Sequence, residues 1–220
     1  MTREPYPEPQ EPTMTTIVPS GGGLDSAVLI AQTPDATVLF VDHGQRPARR
    51  EWRATCRVAA HYDRPVHLLN LREYGRLLGL PTRIPLTFPD AFVANRDAFL
   101  ADVAVAFAMA HGATRVSLGT VGSDAYGATD RAFLDALNFA VAISNEGYDP
   151  PTVDAPLLDT TKPEVVRRAV DARVPIEATW TCWDSRRPVC TRCAKCAARL
   201  DAFDTVGVHD PLDPRPKDPT

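Results

Sequence analysis

Nowhere in the chain is there an uninterrupted apolar run of the roughly 18–20 residues that a membrane span requires, and no basic-then-apolar segment opens it. Both absences predict a cytoplasmic protein with no membrane partner. Positive charge is not in excess either: 24 Lys and Arg stand against 28 Asp and Glu, a net charge of −4. That balance gives no global grip on nucleic acid, whose binding rests on neutralised phosphates, so small molecules are the expected partners. Cysteine is nearly absent for most of the chain. Cys56 stands alone and reads as a small core residue, while the other four crowd into residues 182–196. In a reducing compartment such crowding signifies metal before disulfides.

What is present suffices for one substantial core: 220 residues, 44% of them hydrophobic. Residues 1–15 are rich in Pro and Glu with almost nothing to bury and predict a disordered tail; residues 206–220, ending in "HDPLDPRPKDPT", predict a flexible one. Between them, "TTIVP", "ATVLFVD", "PVHLLNL" and "RVSLGT" read as strands. Helices are expected from Asp25 to about Gln32, over "ARREWRATCRVAAHY", "RDAFLADVAVAFAMAHG" and "RAFLDALNFAVAIS", and after Thr160 or Thr161 as a cap with Pro163 in the first turn. Asn95 or Asp97 would cap the third helix and Gly112 would close it. The alternation predicts an α/β fold, an open parallel sheet with helices on both faces, over residues 16–180.

Two motifs carry chemistry. "SGGGLDS", Ser20 to Ser26, joins the first strand to the first helix. It lacks the Gly-Lys-Ser/Thr ending of a Walker A loop and the spacing of a dinucleotide fingerprint. Glycines there let the backbone approach an oxyanion, and the helix N-terminus supplies unpaired N–H groups. The plain alternative is a tight turn that binds nothing. The second motif, "TCWDSRRPVCTRCAKCAARL", presents Cys182, Cys190, Cys193 and Cys196. Four soft ligands at C-x-x-C spacing suit a tetrahedral zinc with no open position, hence a structural one, in a helical segment 181–205 of the same domain.

The glycine loop resembles the PP-loop of ATP pyrophosphatases, Ser-Gly-Gly-x-Asp-Ser. Gly22 to Ser26 match its last five positions and Gly21 stands where the family has its first serine. Either the loop carries one extra residue, with Ser20 still donating, or Gly21 replaces the hydroxyl with backbone. Together with the cysteine spacing, the loop resembles the 7-cyano-7-deazaguanine synthase family. "FVDHGQR" (40–46), "FVANRD" (92–97) with Arg96, "TKPE" around Lys162, and the cysteine tail through Arg199 and Phe203 agree in the same order.

The resemblance implies an ATP-dependent C–N ligase of queuosine-type biosynthesis. ATP adenylates 7-carboxy-7-deazaguanine, ammonia makes the amide, and a second ATP drives dehydration to the nitrile, releasing AMP and pyrophosphate. It implies that Ser20, Gly21, Gly22, Gly23, Leu24 and Ser26 hold ATP with Mg²⁺, that Val41 and Asp42 lie at the adenine end, and that Asp25, Arg96, Asp124, Arg131 and Lys162 serve the chemistry. By analogy with family members it implies a homodimer. "AYGATDR" keeps Tyr126, Asp130 and Arg131 of the family's substrate loop but lacks its Pro and Cys. That departure leaves two other readings open: adenylation followed by attachment to an amine of a protein or other macromolecule, as in antiviral defence, and a non-catalytic nucleotide- and zinc-binding partner protein.

Overall fold

Side-chain alternation along the strands decides the layers. The structure, a computed structural model, describes residues 16–77, 80, 84–122, 130–186 and 188–215. Five parallel strands, β1 (Thr16–Pro19), β2 (Ala36–Asp42), β3 (Val66–Asn70), β4 (Arg115–Ser117) and β5 (Thr152–Asp154), form one sheet in the order β3-β2-β1-β4-β5. Ile17, Leu39, Val41, Val116 and Val153 turn to one face, where they are buried under α4 (Arg96–Ala110) and α5 (Arg131–Ser144). Val18, Ala36 and Val38 turn to the other, under α1 (Leu24–Gln32), α2 (Ala48–His61), α6 (Lys162–Asp171) and α7 (Ala194–Val206). A short α3 (Arg72–Leu77) follows β3. The expected α/β architecture with helices on both faces is therefore present.

The strand order reverses at β1. The chain winds outward through β2 and β3, then crosses back by α4 to place β4 on the other side of β1. In an open parallel sheet such a reversal leaves a crevice beyond the strand ends. The segments that leave β1 and β4 meet there, and a Cβ on Gly119 would lie 3.3 Å from the backbone of Ser26.

Three local expectations need adjusting. β5 is a strand of three residues that pattern alone does not announce; its outer edge is closed by Asn138, whose amide donates to the Val153 carbonyl and accepts the Val153 N–H, both at 2.8 Å. Asn95 stands at the start of α4 with φ 57° and no side-chain cap, while Asp97 accepts from Arg96 instead. Thr161 does cap α6, in a reciprocal box with Glu164. Within the segment expected to be flexible, the described residues 207–215 make fixed contacts with α7: Asp210 is buried in a paired contact with Arg199, and Arg215 reaches Asp204 and Asp213. A buried carboxylate fixed by a guanidinium is what holds it.

Candidate active site

Pro19 ends β1 where its missing N–H breaks no ladder bond, and the chain turns at once into the glycine loop. Gly22 adopts φ +68°, and a Cβ there would meet the Glu51 carbonyl oxygen at 2.5 Å, so the turn closes only with glycine. The Gly22 carbonyl in turn accepts the Trp180 N–H at 2.7 Å, tying the loop to the segment before the cysteines. Gly23 is the N-cap of α1 and offers no side-chain cap. The first-turn N–H groups of α1 therefore open on a cavity of about 350 Å³ lined by Gly21, Gly23, Leu24, Asp25 and Ser26. Its other walls come from Arg96 and Asp97 of α4, Gly119 and Thr120 beyond β4, Lys162 of α6, Trp180, and Lys195 and Arg199 of α7.

The hydroxyl of Ser20 does not face this cavity. It is buried, accepts the Gly22 N–H at 3.1 Å, donates to Ser26 Oγ at 3.1 Å and lies 3.3 Å from Thr55 Oγ1. Ser20 braces the loop from behind, and Gly21, which lines the cavity, presents backbone there.

Across the loop mouth, Lys162 Nζ donates to Asp25 Oδ2 at 2.6 Å, with both side chains about one-quarter exposed. Lys162 is the first residue of α6, aimed by the Thr161–Glu164 box directly before it. Arg96 sits on the opposite wall and pairs with Asp97 at 2.8 Å. Two cations and two carboxylates thus face one space at the end of a helix N-terminus, a charge pattern suited to a polyphosphate and a cation beside it.

The remaining sequence candidates fall elsewhere. Val41 and Asp42 end β2 outside the cavity lining: the Val41 carbonyl accepts from Gln45 Nε2 at 3.3 Å, and the Asp42 carboxylate takes Arg72 Nε at 2.9 Å and the Gly44 N–H at 3.0 Å. Arg131 is exposed and pairs with Asp159 at 2.9 Å, away from the cavity. Asp124 and Tyr126 lie outside the described residues. Sequence reasoning missed Glu51, Trp180 and Lys195 as cavity residues. A single acid in the arginine-rich first turn of α2 was the available signal for Glu51, since Arg49, Arg50 and Arg53 surround it.

The four cysteines converge as the spacing predicts. Their sulfurs all lie within 4.8 Å of one another, and Cys190 Sγ is 3.9 Å from Cys196 Sγ. Four sulfurs about 2.3 Å from one tetrahedral zinc lie about 3.8 Å apart, so the set fits a metal ion of that kind. Backbone N–H groups of Asp184 and Cys190 point at Cys182 Sγ, at 3.2 and 3.4 Å, and that of Cys193 at Cys190 Sγ. Hydrogen bonds from the Cys182 and Cys196 thiols hold Cys193 well below the ordinary thiol range. The same sharing pushes Cys182 up to about 12. A bound cation would release the protons of all four thiols.

The cluster packs behind Trp180, which lines the cavity. Trp180 Nε1 donates to the Cys182 carbonyl at 2.8 Å, and Lys195 lies 5.7 Å from the Trp183 ring centroid. Behind them the buried Arg199 fork holds Asp210, Thr179 and Thr181.

Residues 15–207 match the family model of queuosine biosynthesis protein QueC. A protein of Chlorobium phaeobacteroides (strain BS1) named 7-cyano-7-deazaguanine synthase is 31% identical over 218 residues, covering 91% of this chain and 96% of that one. One of the same name from Methanospirillum hungatei JF-1 is 28% identical over 209 residues, 87% and 95% of the two chains.

Proposed function

This chain belongs to the family of queuosine biosynthesis protein QueC, and from that premise we propose that it converts 7-carboxy-7-deazaguanine to 7-cyano-7-deazaguanine with ATP and ammonia. The observation that carries the reading is the loop mouth: uncapped N–H groups of α1 facing the Asp25–Lys162 pair in one cavity. The backbone of Gly21 to Leu24 receives the phosphates of ATP. Lys162, a compact point charge, neutralises the pyrophosphate as it leaves. Asp25 and Asp97 are the carboxylates that would hold Mg²⁺, which when bound screens the phosphate charge. Arg96, on the wall across from Lys162, orients the carboxylate of the deazapurine. The four cysteines hold zinc as a structural ion, fixing the wall that bears Trp180, Lys195 and Arg199.

Adenylation turns a poor leaving group, oxide, into AMP. Attack by ammonia on the acyl carbon then breaks the bond to AMP and leaves the amide, and activation of the amide oxygen by a second ATP permits its loss. The test is incubation of the metal-loaded protein with 7-carboxy-7-deazaguanine, ATP, Mg²⁺ and ammonium, with AMP and deazapurine followed by mass spectrometry. Nitrile formation supports the reading. AMP with an amide alone moves the reaction to a different final acceptor, in keeping with the altered "AYGATDR" segment, and no AMP leaves a binding protein.

A further inference from the structure

The nitrogen that enters the proposed reaction as ammonia carries three protons and ends in a nitrile with none. One is lost when the amide forms and two more when it is dehydrated, so the cavity needs a proton acceptor near the acyl carbon. Asp25 is held by Lys162 at 2.6 Å and Asp97 by Arg96 at 2.8 Å, so both carboxylates are already engaged in ion pairs. The third carboxylate of the lining, Glu51, has no ion-pair partner at such a distance among the described residues.

We propose that Glu51, in the first turn of α2, is the group that receives ammonia and takes the protons from its nitrogen, a role that rests on the function proposed above. Three observations place it there. Glu51 lines the same cavity as the glycine loop, and its own carbonyl packs under Gly22. Its carboxylate is aimed by Gln45, whose Nε2 donates to Glu51 Oε2 at 2.9 Å. Gln45 is itself fixed, since its Oε1 accepts the His43 N–H at 3.0 Å and its Nε2 also reaches the Val41 carbonyl.

Protein surrounds the carboxyl densely, and this desolvation pushes its pKa up, against the opposing pull of Lys195 of α7, the Gln45 hydrogen bond and Arg96 of α4; Asp42 at the end of β2 adds to the rise. A carboxylate whose pKa is raised is the stronger base once ionised. In the amide-forming step, the nitrogen lone pair forms the new bond to the acyl carbon. The carbon–oxygen bond to AMP breaks with its electron pair leaving on AMP, and one N–H proton passes to Glu51, which returns it to solvent.

Glu51→Gln keeps the shape, and its carbonyl oxygen can still accept from Gln45, but it cannot take a proton. Wild type and variant are compared in carboxylate-dependent ATP–pyrophosphate exchange and in amide and nitrile formation with ammonium. Hydroxylamine also sheds one N–H proton, but as a stronger nucleophile of lower basicity it attacks readily and loses that proton to solvent, so its capture depends less on the base. The expected result is exchange and hydroxylamine capture near wild-type rates, with ammonium-dependent product down by about 10²-fold and partly restored in Glu51→Asp. Equal losses in exchange and product formation would make Glu51 a structural residue and overturn the role alone. A wild-type protein without carboxylate-dependent exchange would overturn the proposed function and this role with it.

Discussion

The two walls of the cavity are held by different means. The glycine-loop wall is fixed by the fold itself: β1 and α1 frame it, Gly22 is wedged on α2, and hydrogen bonds from Ser20, Ser26 and Thr55 brace it from behind. On the opposite wall, the segment that brings in Trp180 and Thr181 and runs on to Cys193 has no helix or strand among its described residues; it is ordered by the cysteine cluster and by the Arg199–Asp210 pair at the α7 side of the same wall. One wall is preorganised by backbone, the other by side chains whose sulfurs are placed to hold an ion. If the proposed roles hold, nucleotide affinity and the integrity of the far wall are separable properties, the first set by the glycines and the second by metal.

The strongest way to sharpen that contrast is to remove the metal. Cys193→Ser, or chelation, is expected to abolish metal content and lower the melting midpoint by about 10 °C or more, since each kcal/mol lost moves a chain of this size by roughly 2–4 °C. Mass spectrometry of the native protein and a thermal melt read both; an unchanged melt would break the comparison. Next in size is Lys162→Met, which should lower the rate of AMP release by about 10²–10³-fold with little change in metal content. Steady-state kinetics and metal analysis on the same preparation check it.

Two neighbouring glycines then divide the loop wall. Gly22→Ala forces a positive-φ residue against the backbone of α2 and should cost about 2–3 kcal/mol of stability in denaturant unfolding. Gly21→Ala meets nothing within 4 Å and should leave stability within about 0.5 kcal/mol while weakening ATP binding, because the added methyl faces the cavity. The smallest effect is at the cap of α6. Thr161→Ala should cost about 1 kcal/mol. The Thr161 N–H and hydroxyl hold the Glu164 carboxyl below its ordinary 4.5, so its contribution is present above that pH and is lost as pH falls through the lower folded value. Stability of wild type and Glu164→Gln should accordingly converge in acid.

How much of this was legible in the sequence follows the same division. β1 to β4, the long helices and the glycine loop announce themselves by apolar period and by glycine at a strand end, which are local signals. The cysteine spacing announces the cluster for the same reason. β5, no shorter than β4, escaped because it offers a single buried apolar residue, Val153, between polar Thr152 and Asp154, and because its edge is closed by Asn138 from a distant helix. The burial of Ser20, the displacement of Asp42 toward Arg72 and the surface placement of Arg131 also escaped: motif position fixes where a residue lies along the chain, while the direction of its side chain is set by neighbours remote in sequence. Glu51 went unread for that reason too: its one signal, an acid in a basic turn, looks like a helix-dipole partner until Gln45 and the cavity are seen beside it.

The central claim is that ATP activates an oxygen of a deazaguanine carboxylate at the glycine loop. Substrate labelled with ¹⁸O in both carboxylate oxygens tests it most directly. The account predicts that each AMP released carries one ¹⁸O on its phosphate and that the nitrile carries none; unlabelled AMP would mean that water, not the carboxylate, attacks ATP, and would contradict it.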